Sequence, residues 1–266
     1  MINIFSNLKK KIISKKIFNL KKTEDVRLIK THKNNTQVLY FPQKKIYRKL
    51  NKNKKGKEKI HSENLGISWY CKRIKIKKKY LIKRYYKGKK ISFIDLREVD
   101  GLKIKSWRPL SENYEFLLKF FKHYIKFYPK KRISHIHGDL TFDNIIFNKK
   151  KIIVIDWEFF KANKSLYGYD LVYLFLSAAC LPYLNLRKLS NQDEIIFKKL
   201  WKLLINIKIS NKLTDRPFSY FSKKIKSDFI LKKSFRLSKR KFFPFITSNT
   251  HKKKIMKIIN EIKNEK

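Results

Sequence analysis

The feature that most constrains this chain is a short apolar hairpin pattern flanked by acids, between His137 and Glu158. It reads HGDLTFDNIIFNKKKIIVIDWE. The apolar runs IIF and KIIVI are separated by the polar segment NKKK, which predicts two short antiparallel strands joined by a turn. Asp139 and Asn144 precede the first strand and Asp156 follows the second. The hairpin therefore predicts that these three side chains face a common point.

The acids in this stretch stand out against a strongly basic background. The chain has 68 Lys and Arg against 20 Asp and Glu, a formal net charge of +48. AT-rich codon use would enrich lysine, but it would enrich glutamate as well. The excess therefore predicts a surface that attracts anions such as nucleotides, acidic glycans, anionic lipid or RNA, and it bears on association rather than on fold.

The residue types at the hairpin suit phosphoryl transfer. Asn144 and Asp156 offer hard oxygen ligands of the kind that Mg²⁺ prefers. Asp139 is then left to orient a hydroxyl group and to accept its proton. Most of the catalysis of phosphoryl transfer comes from positioning and charge neutralisation, so this small set is sufficient for it.

A competing interpretation is a binuclear metal site, because His135, His137 and Asp139 form an H-x-H-x-D pattern. Such sites need further histidines downstream, and the only later one in the sequence is His251, in the basic C-terminal stretch. Ligand counting therefore disfavours this interpretation.

The two motifs resemble those of the aminoglycoside phosphotransferase and choline kinase group within the protein-kinase-like fold. That group carries H-G-D-x-x-x-x-N followed by I-D-W-E, and here HGDLTFDN and VIDWE occur in that order. The resemblance covers roughly residues 26–190. It implies an α+β, two-lobed fold with a β-rich N-terminal lobe and a mostly helical C-terminal lobe. It also implies ATP as phosphoryl donor, Asp139 as catalytic base, and Asn144 and Asp156 as Mg²⁺ ligands.

The resemblance also assigns nucleotide contacts in the first third of the chain. In KIYRKL, Lys49 lies where the phosphate-contacting lysine would be, and Lys45 and Arg48 are its rivals. Glu63, in the helix that follows, would pair with Lys49. The strand LIKRYYKGKKI resembles the hinge strand that joins the two lobes, whose backbone around Lys83–Tyr86, including Tyr85 and Tyr86, would hold adenine.

One departure from the family concerns the loop that covers the nucleotide phosphates. The family often has a glycine in that loop, but the first glycine here is Gly56, and the loop over residues 31–36, THKNNT, has none. Asparagine can adopt positive φ, and the threonines could donate to phosphate.

Four further residues are expected to support the site. His137 would brace the loop through hydrogen bonds, and Asp170, in YGYDLVYLF, would brace the catalytic loop in the same way. Glu158 follows the metal-ligand position by two residues and is expected in the site. Asp143 is either a substrate contact or a solvated loop carboxylate.

The expected organisation has four parts: a basic amphipathic segment over 1–25, a nucleotide-binding lobe over 26–90, a catalytic and acceptor-binding lobe over 91–250, and a basic tail over 251–266 that frays. Residues 51–59 are expected to form a charged loop before a helix over 60–71. The uncharged run over 171–186 is too short for a membrane span and contains a proline, so it predicts a buried core helix.

The expected function is ATP- and Mg²⁺-dependent phosphorylation of a hydroxyl on a small molecule. The acceptor is expected to be a sugar or envelope precursor, or an amino alcohol such as choline. The alternative is a catalytically weak or inactive kinase-like binding module on anionic membrane or RNA. Cys71 and Cys180 suit a reducing cytoplasm. Peripheral contact with the inner face of the membrane is a further expectation, and no specific nucleic-acid partner is expected.

Overall fold

The computed structural model describes residues 25–31, 36–105, 108–148, 151–180, 189–227 and 249–265. Within the described residues there are two compact units. The first comprises the chain up to Asp100 together with Asp156–Phe160, and the second comprises Gly101–Ile155 and the chain from Lys161 onward. A strand-rich N-terminal region precedes a mostly helical C-terminal region, which confirms the predicted α+β class. The amphipathic segment predicted over 1–25 lies outside the described residues, apart from its last residue.

The first unit is an antiparallel sheet with one long helix. The strand order is β1-β2-β3-β5-β4. Alternating apolar residues in TQVLYF and KIYRKL favour strands, and these segments form β2 and β3. β5 was not predicted, because it follows β4 closely after a tight turn at Gly88. The elements are β1 (Arg27–Thr31), β2 (Gln37–Phe41), β3 (Ile46–Asn51), α1 (Lys54–Arg73), β4 (Ile82–Lys87) and β5 (Ser92–Arg97).

Helix α1 begins earlier than the sequence suggests. The charged loop predicted over 51–59 is wrong, since most of it forms the first turns of α1. The Asn53 side chain caps the helix by accepting a hydrogen bond from the Gly56 N–H at 2.9 Å. Lysine is a good helix former, so a run of lysines after such a cap continues a helix.

The core of the first unit brings the 156–160 segment against α1. Leu39, Phe41, Ile46 and Leu50 form an apolar cluster on the sheet. Trp157 is fully buried. A Cβ placed on Gly66 would lie only 2.7 Å from Trp157 Cβ, so the absence of a side chain at Gly66 permits this close approach.

The second unit contains two small sheets and, among the described residues, six α-helices. The strand orders are β6-β8-β9 and β10-β7, and all pairs are antiparallel. Strands β7 and β10 were not predicted. The elements are β6 (Leu102–Lys103), α2 (Leu110–Phe127), β7 (Ile133–Ile136), β8 (Ile145–Phe147), β9 (Ile152–Val154), β10 (Lys161–Leu166), α3 (Tyr169–Cys180), α4 (Asn191–Asn206), α5 (Asn211–Thr214), α6 (Pro217–Ser227) and α7 (Asn249–Asn264).

Helix α3 is the centre of the second core. Every residue from Tyr169 to Cys180 is buried, as its apolar sequence predicts. The rest of the predicted core helix, over 181–186, lies outside the described residues. Among the residues that the structure describes, no helix is long and apolar enough to cross a membrane.

The C-terminal stretch is ordered rather than frayed. Residues 249–264 form α7, and Ile255, Ile258, Ile259 and Ile262 are buried at helical spacing. The predicted frayed tail is therefore wrong. The lysines that suggested it lie on the other face of an amphipathic helix, where water solvates them.

Candidate functional site

In the first unit, one lysine bridges two carboxylates. Lys49 Nζ lies 2.8 Å from Glu63 Oε1 and 2.6 Å from Asp156 Oδ1. β3 supplies Lys49, α1 supplies Glu63, and the segment after β9 supplies Asp156. Three residues that the sequence motifs single out, from distant parts of the chain, therefore form one ion-pair cluster.

Burial and charge shape this cluster. Burial alone would lower the pKa of Lys49, but the negative charges of Asp156, Glu63 and Glu158 outweigh it and raise that pKa. Lys49 is therefore a permanent cation. Burial raises the pKa of Glu63 to about 7, against the opposing effect of Lys49. Glu63 Oε2 is buried and has no hydrogen-bond partner among the described residues, so the carboxylate is held by one oxygen.

The two rivals of Lys49 have other roles in the first unit. The Arg48 guanidinium pairs with both oxygens of Asp95, at 2.6 and 2.9 Å, and lies over the Phe93 ring. Lys45 sits in a left-handed turn conformation, with φ of 48°, between Pro42–Lys44 and β3. Of the three cations, Lys49 is the one that pairs with Glu63 and Asp156.

The segment that carries Asp156 is held under backbone strain. Asp156 has a φ of +62°, a conformation that costs a non-glycine residue energy and is enriched at functional sites. Two residues later, Glu158 Oε1 accepts from Lys59 Nζ at 2.9 Å, and the Lys59 ammonium also lies over the Phe159 ring. Sequence reasoning missed Lys59. Glu158 therefore anchors this segment to α1.

In the second unit, Asp170 organises the loop that precedes β8. Its carboxylate accepts from the Tyr128 hydroxyl at 2.6 Å and from the backbone N–H groups of His137 and Gly138 at 2.8 and 3.0 Å. Asp170 is fully buried, and this burial raises its pKa above the ordinary value while the donors oppose the rise. A buried carboxylate with three donors fixes the loop backbone.

His137 also works through hydrogen bonds. The Asp139 N–H donates to His137 Nδ1 at 3.3 Å, so the ring proton belongs on Nε2, which donates to the Ile155 carbonyl at 2.8 Å. Both ring nitrogens are thereby engaged. Within the described residues no group of three His, Cys, Asp or Glu side chains is arranged to hold a metal ion.

Asp139 and Asn144 are tied to each other. Asn144 Nδ2 donates to the Asp139 carbonyl at 2.7 Å, and the Ile155 N–H donates to the Asn144 carbonyl at 2.9 Å. The Tyr173 hydroxyl donates to Asp139 Oδ1 at 3.1 Å. Tyr173 was missed by sequence reasoning, although it follows Asp170 by three residues on α3 and so shares its face.

Asp143 lies apart from these contacts. It is exposed on the 3₁₀ turn Phe142–Asn144, and no described residue forms an ion pair or hydrogen bond with its side chain. The structure gives it no structural role.

The side-chain oxygens of Asn144 and Asp156 are of the kind that bind Mg²⁺. The amide nitrogen of Asn144 is engaged by Asp139, which leaves the amide oxygen to act as a ligand. Asp156 has a side chain that is 40% exposed, and its second carboxylate oxygen provides further lone pairs. Mg²⁺ commonly takes one or two such protein oxygens and completes its shell with phosphate and water.

The predicted adenine-binding residues lie on an edge strand. Tyr85 and Tyr86 are in β4, and the Tyr85 hydroxyl lies 2.8 Å from His61 Nδ1. Tyr86 is half exposed and stacks on Phe93. The chain enters the second unit after β5, through residues 98–101. The joining segment is therefore not the strand that sequence reasoning selected, since β5 had not been recognised.

Comparisons with known proteins bear on the fold. No protein-family model and no curated protein sequence matches the chain. Among solved structures, an amicoumacin kinase in complex with AMP-PNP, Ca²⁺ and its ligand is similar, with 10% identity, a TM-score of 0.51, and coverage of 99% of this chain and 96% of that one. The choline kinase LicA from Streptococcus pneumoniae is 14% identical, with a TM-score of 0.40 and coverage of 95% and 99%.

The similarity to the amicoumacin kinase structure shows that the chain has a kinase-like fold, and the kinase-like fold predicted from the HGDLTFDN and VIDWE motifs is thereby confirmed.

Proposed function

We propose that this protein is an ATP- and Mg²⁺-dependent phosphotransferase that phosphorylates a hydroxyl group of a small molecule. The observation that carries the proposal is the cluster in which Lys49 pairs with Glu63 at 2.8 Å and with Asp156 at 2.6 Å. A buried lysine held by two carboxylates is a preorganised cation, and preorganised charge is the main requirement of phosphoryl transfer.

The proposed roles follow from the chemistry of each group. Bound ATP and Mg²⁺ would supply the phosphoryl group and the neutralising charge. Lys49 would contact the nucleotide phosphates, with Glu63 setting its position. Asn144 and Asp156 would hold the metal ion. Asp139 would orient the acceptor hydroxyl and take up its proton, and the Tyr173 hydroxyl that donates to Oδ1 would fix the carboxylate for this task.

For the adenine ring, two segments compete. The sequence resemblance indicates the backbone around Tyr85 and Tyr86, whereas the path of the chain favours residues 98–100, because the family holds adenine on the segment that joins its lobes. The Glu98 N–H donates to the Lys45 carbonyl at 2.9 Å, so this segment is fixed to the first unit.

The acceptor is proposed to be a sugar or envelope precursor, or an amino alcohol such as choline. The net charge of +48 favours an acidic or phosphorylated acceptor. The exposed Asp143 is the group that would attract a cationic acceptor such as choline. We place the activity in the cytoplasm, where the two buried free cysteines, Cys71 and Cys180, would stay reduced.

The second candidate is a kinase-like binding module without turnover. It is favoured by one observation, the absence of glycine from the loop over 31–36. Residues 32–35 of that loop lie outside the described residues. At the end of the loop, the Thr36 hydroxyl accepts from Asn51 Nδ2 at 2.8 Å and is buried, so it is engaged by the protein itself.

The deciding experiment measures ATP turnover with Mg²⁺ against a panel of sugars, amino alcohols and envelope precursors. The wild type is compared with Asp139→Asn and with a matched control, Asp215→Asn. Asp215 pairs with Lys263 and lies far from Asp139 in the sequence. We expect one acceptor to be phosphorylated by wild type and control, with a loss of about 10²-fold or more in Asp139→Asn.

Nucleotide binding separates the two candidates. Mg²⁺-dependent ATP binding that survives in Asp139→Asn but fails in Asp156→Asn supports the kinase assignment. Such binding without turnover on any acceptor favours the binding module. If the wild type binds no nucleotide, both the assignment of Lys49 and the kinase proposal are refuted.

A further inference from the structure

A cavity in the second unit is lined mostly by cations. Its volume is about 320 Å³, and five of its eight lining residues are basic: Lys130, Lys131, Arg132, Lys208 and Lys212. We call it the basic pocket. No carboxylate is among its lining residues, so the pocket has a positive potential that attracts anions.

The basic pocket is built on fixed backbone. Lys130, Lys131 and Arg132 occupy the connection between α2 and β7, where the Lys131 N–H donates to the Pro129 carbonyl at 2.9 Å. On the opposite strand, Leu166 pairs with Ile133 in the β10–β7 ladder. Regular secondary structure therefore flanks this connection on both sides.

The segment after α4 completes the basic pocket. A Cβ on Gly168 would lie 2.4 Å from the side chain of Ile209, which shows how closely this segment packs beside β10. Ile209 is buried, and its neighbour Lys208 takes a left-handed conformation with φ of 57°. The backbone that carries Lys208 and Lys212 is therefore held in place by the packing of Ile209.

The five basic side chains of the pocket form no ion pair with a described residue that would explain why they lie together. None of them forms an ion pair with a carboxylate in the part of the chain that the structure describes. Nearby helices show the opposite arrangement, since Lys198 pairs with Glu261 at 2.6 Å and Lys263 with Asp215 at 3.0 Å. The scarce acids of the chain thus neutralise lysines on α4 and α7 and leave the basic pocket positive.

The remaining lining residues add donors. Tyr167 is 8% exposed, and burial raises the pKa of its hydroxyl, so it stays a neutral donor. Ser210 contributes a second hydroxyl. Ammonium groups, a guanidinium fork and hydroxyls together are the donor set that binds phosphate oxygens.

We propose that the basic pocket binds a compact ligand with two or more phosphate groups, either a free diphosphate-type anion or the headgroup of a phosphate-bearing lipid. The charge count requires more than one phosphate, because a single one would leave most of the five cations unneutralised. The volume lies at the lower end of the range for small-ligand sites. The proposal stands on the second unit alone and is independent of the phosphotransfer proposal.

The test compares two triple variants of the full chain with equal charge. The pocket variant is Lys131→Gln, Arg132→Gln and Lys208→Gln. The control variant is Lys122→Gln, Lys199→Gln and Lys257→Gln, three exposed lysines on α2, α4 and α7. Both lower the net charge by the same amount and alter only exposed side chains. Circular dichroism melting verifies that each is folded.

Binding of inorganic pyrophosphate is measured by calorimetry in EDTA, which removes divalent cations. In a second arm, sedimentation measures binding to vesicles of phosphatidylcholine with and without cardiolipin, whose headgroup carries two phosphates. We expect the pocket variant to lose about tenfold in pyrophosphate affinity while the control changes less than about twofold. A selective loss in the vesicle arm alone would identify the lipid headgroup as the source of the phosphate. Equal losses in both variants, or no loss in either arm, would overturn the proposal, because diffuse surface charge would then account for the binding.

Discussion

Glu63 is fully buried beside Lys49, and replacing it by glutamine tests what this burial costs the fold. Burial raises its pKa from the ordinary 4.5 to about 7, so the folded state holds the proton more tightly than the unfolded chain does. Wild-type stability should therefore fall as the pH rises through this window. A tenfold change in a proton equilibrium is worth about 1.4 kcal/mol, so the full cost above pH 7 is on the order of a few kcal/mol.

The Glu63→Gln variant lacks this titration and keeps the shape of the side chain. The free energy of unfolding of the variant minus that of the wild type should rise by about 2–3 kcal/mol between pH 5 and pH 8. Urea denaturation at several pH values measures it, and taking the difference cancels the titration of all other groups. Glu112→Gln, at an exposed position on α2, is the control and should show no pH-dependent difference beyond about 0.5 kcal/mol.

The same variant should bind nucleotide less tightly, because Lys49 would lose one of the two carboxylates that position it. If the Glu63→Gln variant is more stable than the wild type at pH 8 but binds nucleotide less tightly, then the charge of Glu63 serves nucleotide binding rather than stability. A difference in unfolding free energy that stays constant from pH 5 to pH 8 would refute the reasoning, since Lys49 would then hold Glu63 ionised at no cost to the fold.

Two further substitutions test the packing and the positioning of the site. Gly66→Ala would place a Cβ 2.7 Å from Trp157 Cβ and 2.8 Å from Phe160 Cβ, so we expect a loss of about 1–3 kcal/mol in urea denaturation, and an unchanged or higher stability would contradict this packing. Tyr173→Phe removes the hydroxyl that donates to Asp139 Oδ1, so we expect turnover to fall about three- to tenfold while unfolding free energy changes by less than about 1 kcal/mol. Unchanged turnover in a folded variant would show that this hydrogen bond does not position Asp139.

The parts of the fold that sequence patterns predict are those with uninterrupted periodicity. β2, β3, and the β8–β9 hairpin follow from alternating or continuous apolar runs, and α3 follows from its charge-free sequence. In β10, KANKSL, half of the residues are exposed and the sequence has no apolar alternation, so no pattern predicts a strand there. Lysine is so frequent in this chain that it indicates neither a loop nor the start of a helix. The sequence therefore predicts the start of α1 at residue 60, whereas the helix begins at Lys54.

The residues of the candidate site likewise differ in how well the sequence predicts them. The spacing in HGDLTFDN and VIDWE is local and points to Asp139, Asn144 and Asp156. Lys49 could not be separated from its neighbours by alternation alone, and the structure distinguishes it because Arg48 is engaged by Asp95. Long-range contacts of this kind, together with the path of the chain after β5, depend on the pairing of strands that the sequence does not mark.

Outside the hairpin, this basic chain keeps some of its few acids inside the fold. In the described structure the buried carboxylates are Glu63, Asp95, Asp170 and Asp193. Both oxygens of Asp95 accept from the Arg48 guanidinium, Asp170 accepts from three donors, and Asp193 accepts from the start of α2 and from the Ser190 hydroxyl at its own helix cap. Each acid is therefore an internal acceptor whose removal would leave buried donors unpaired, while the excess lysine lies on the surface. Because salt screens exposed charges far more than buried pairs, raising the ionic strength should weaken anion binding at the basic pocket and leave these internal pairs, and the fold that depends on them, largely unaffected.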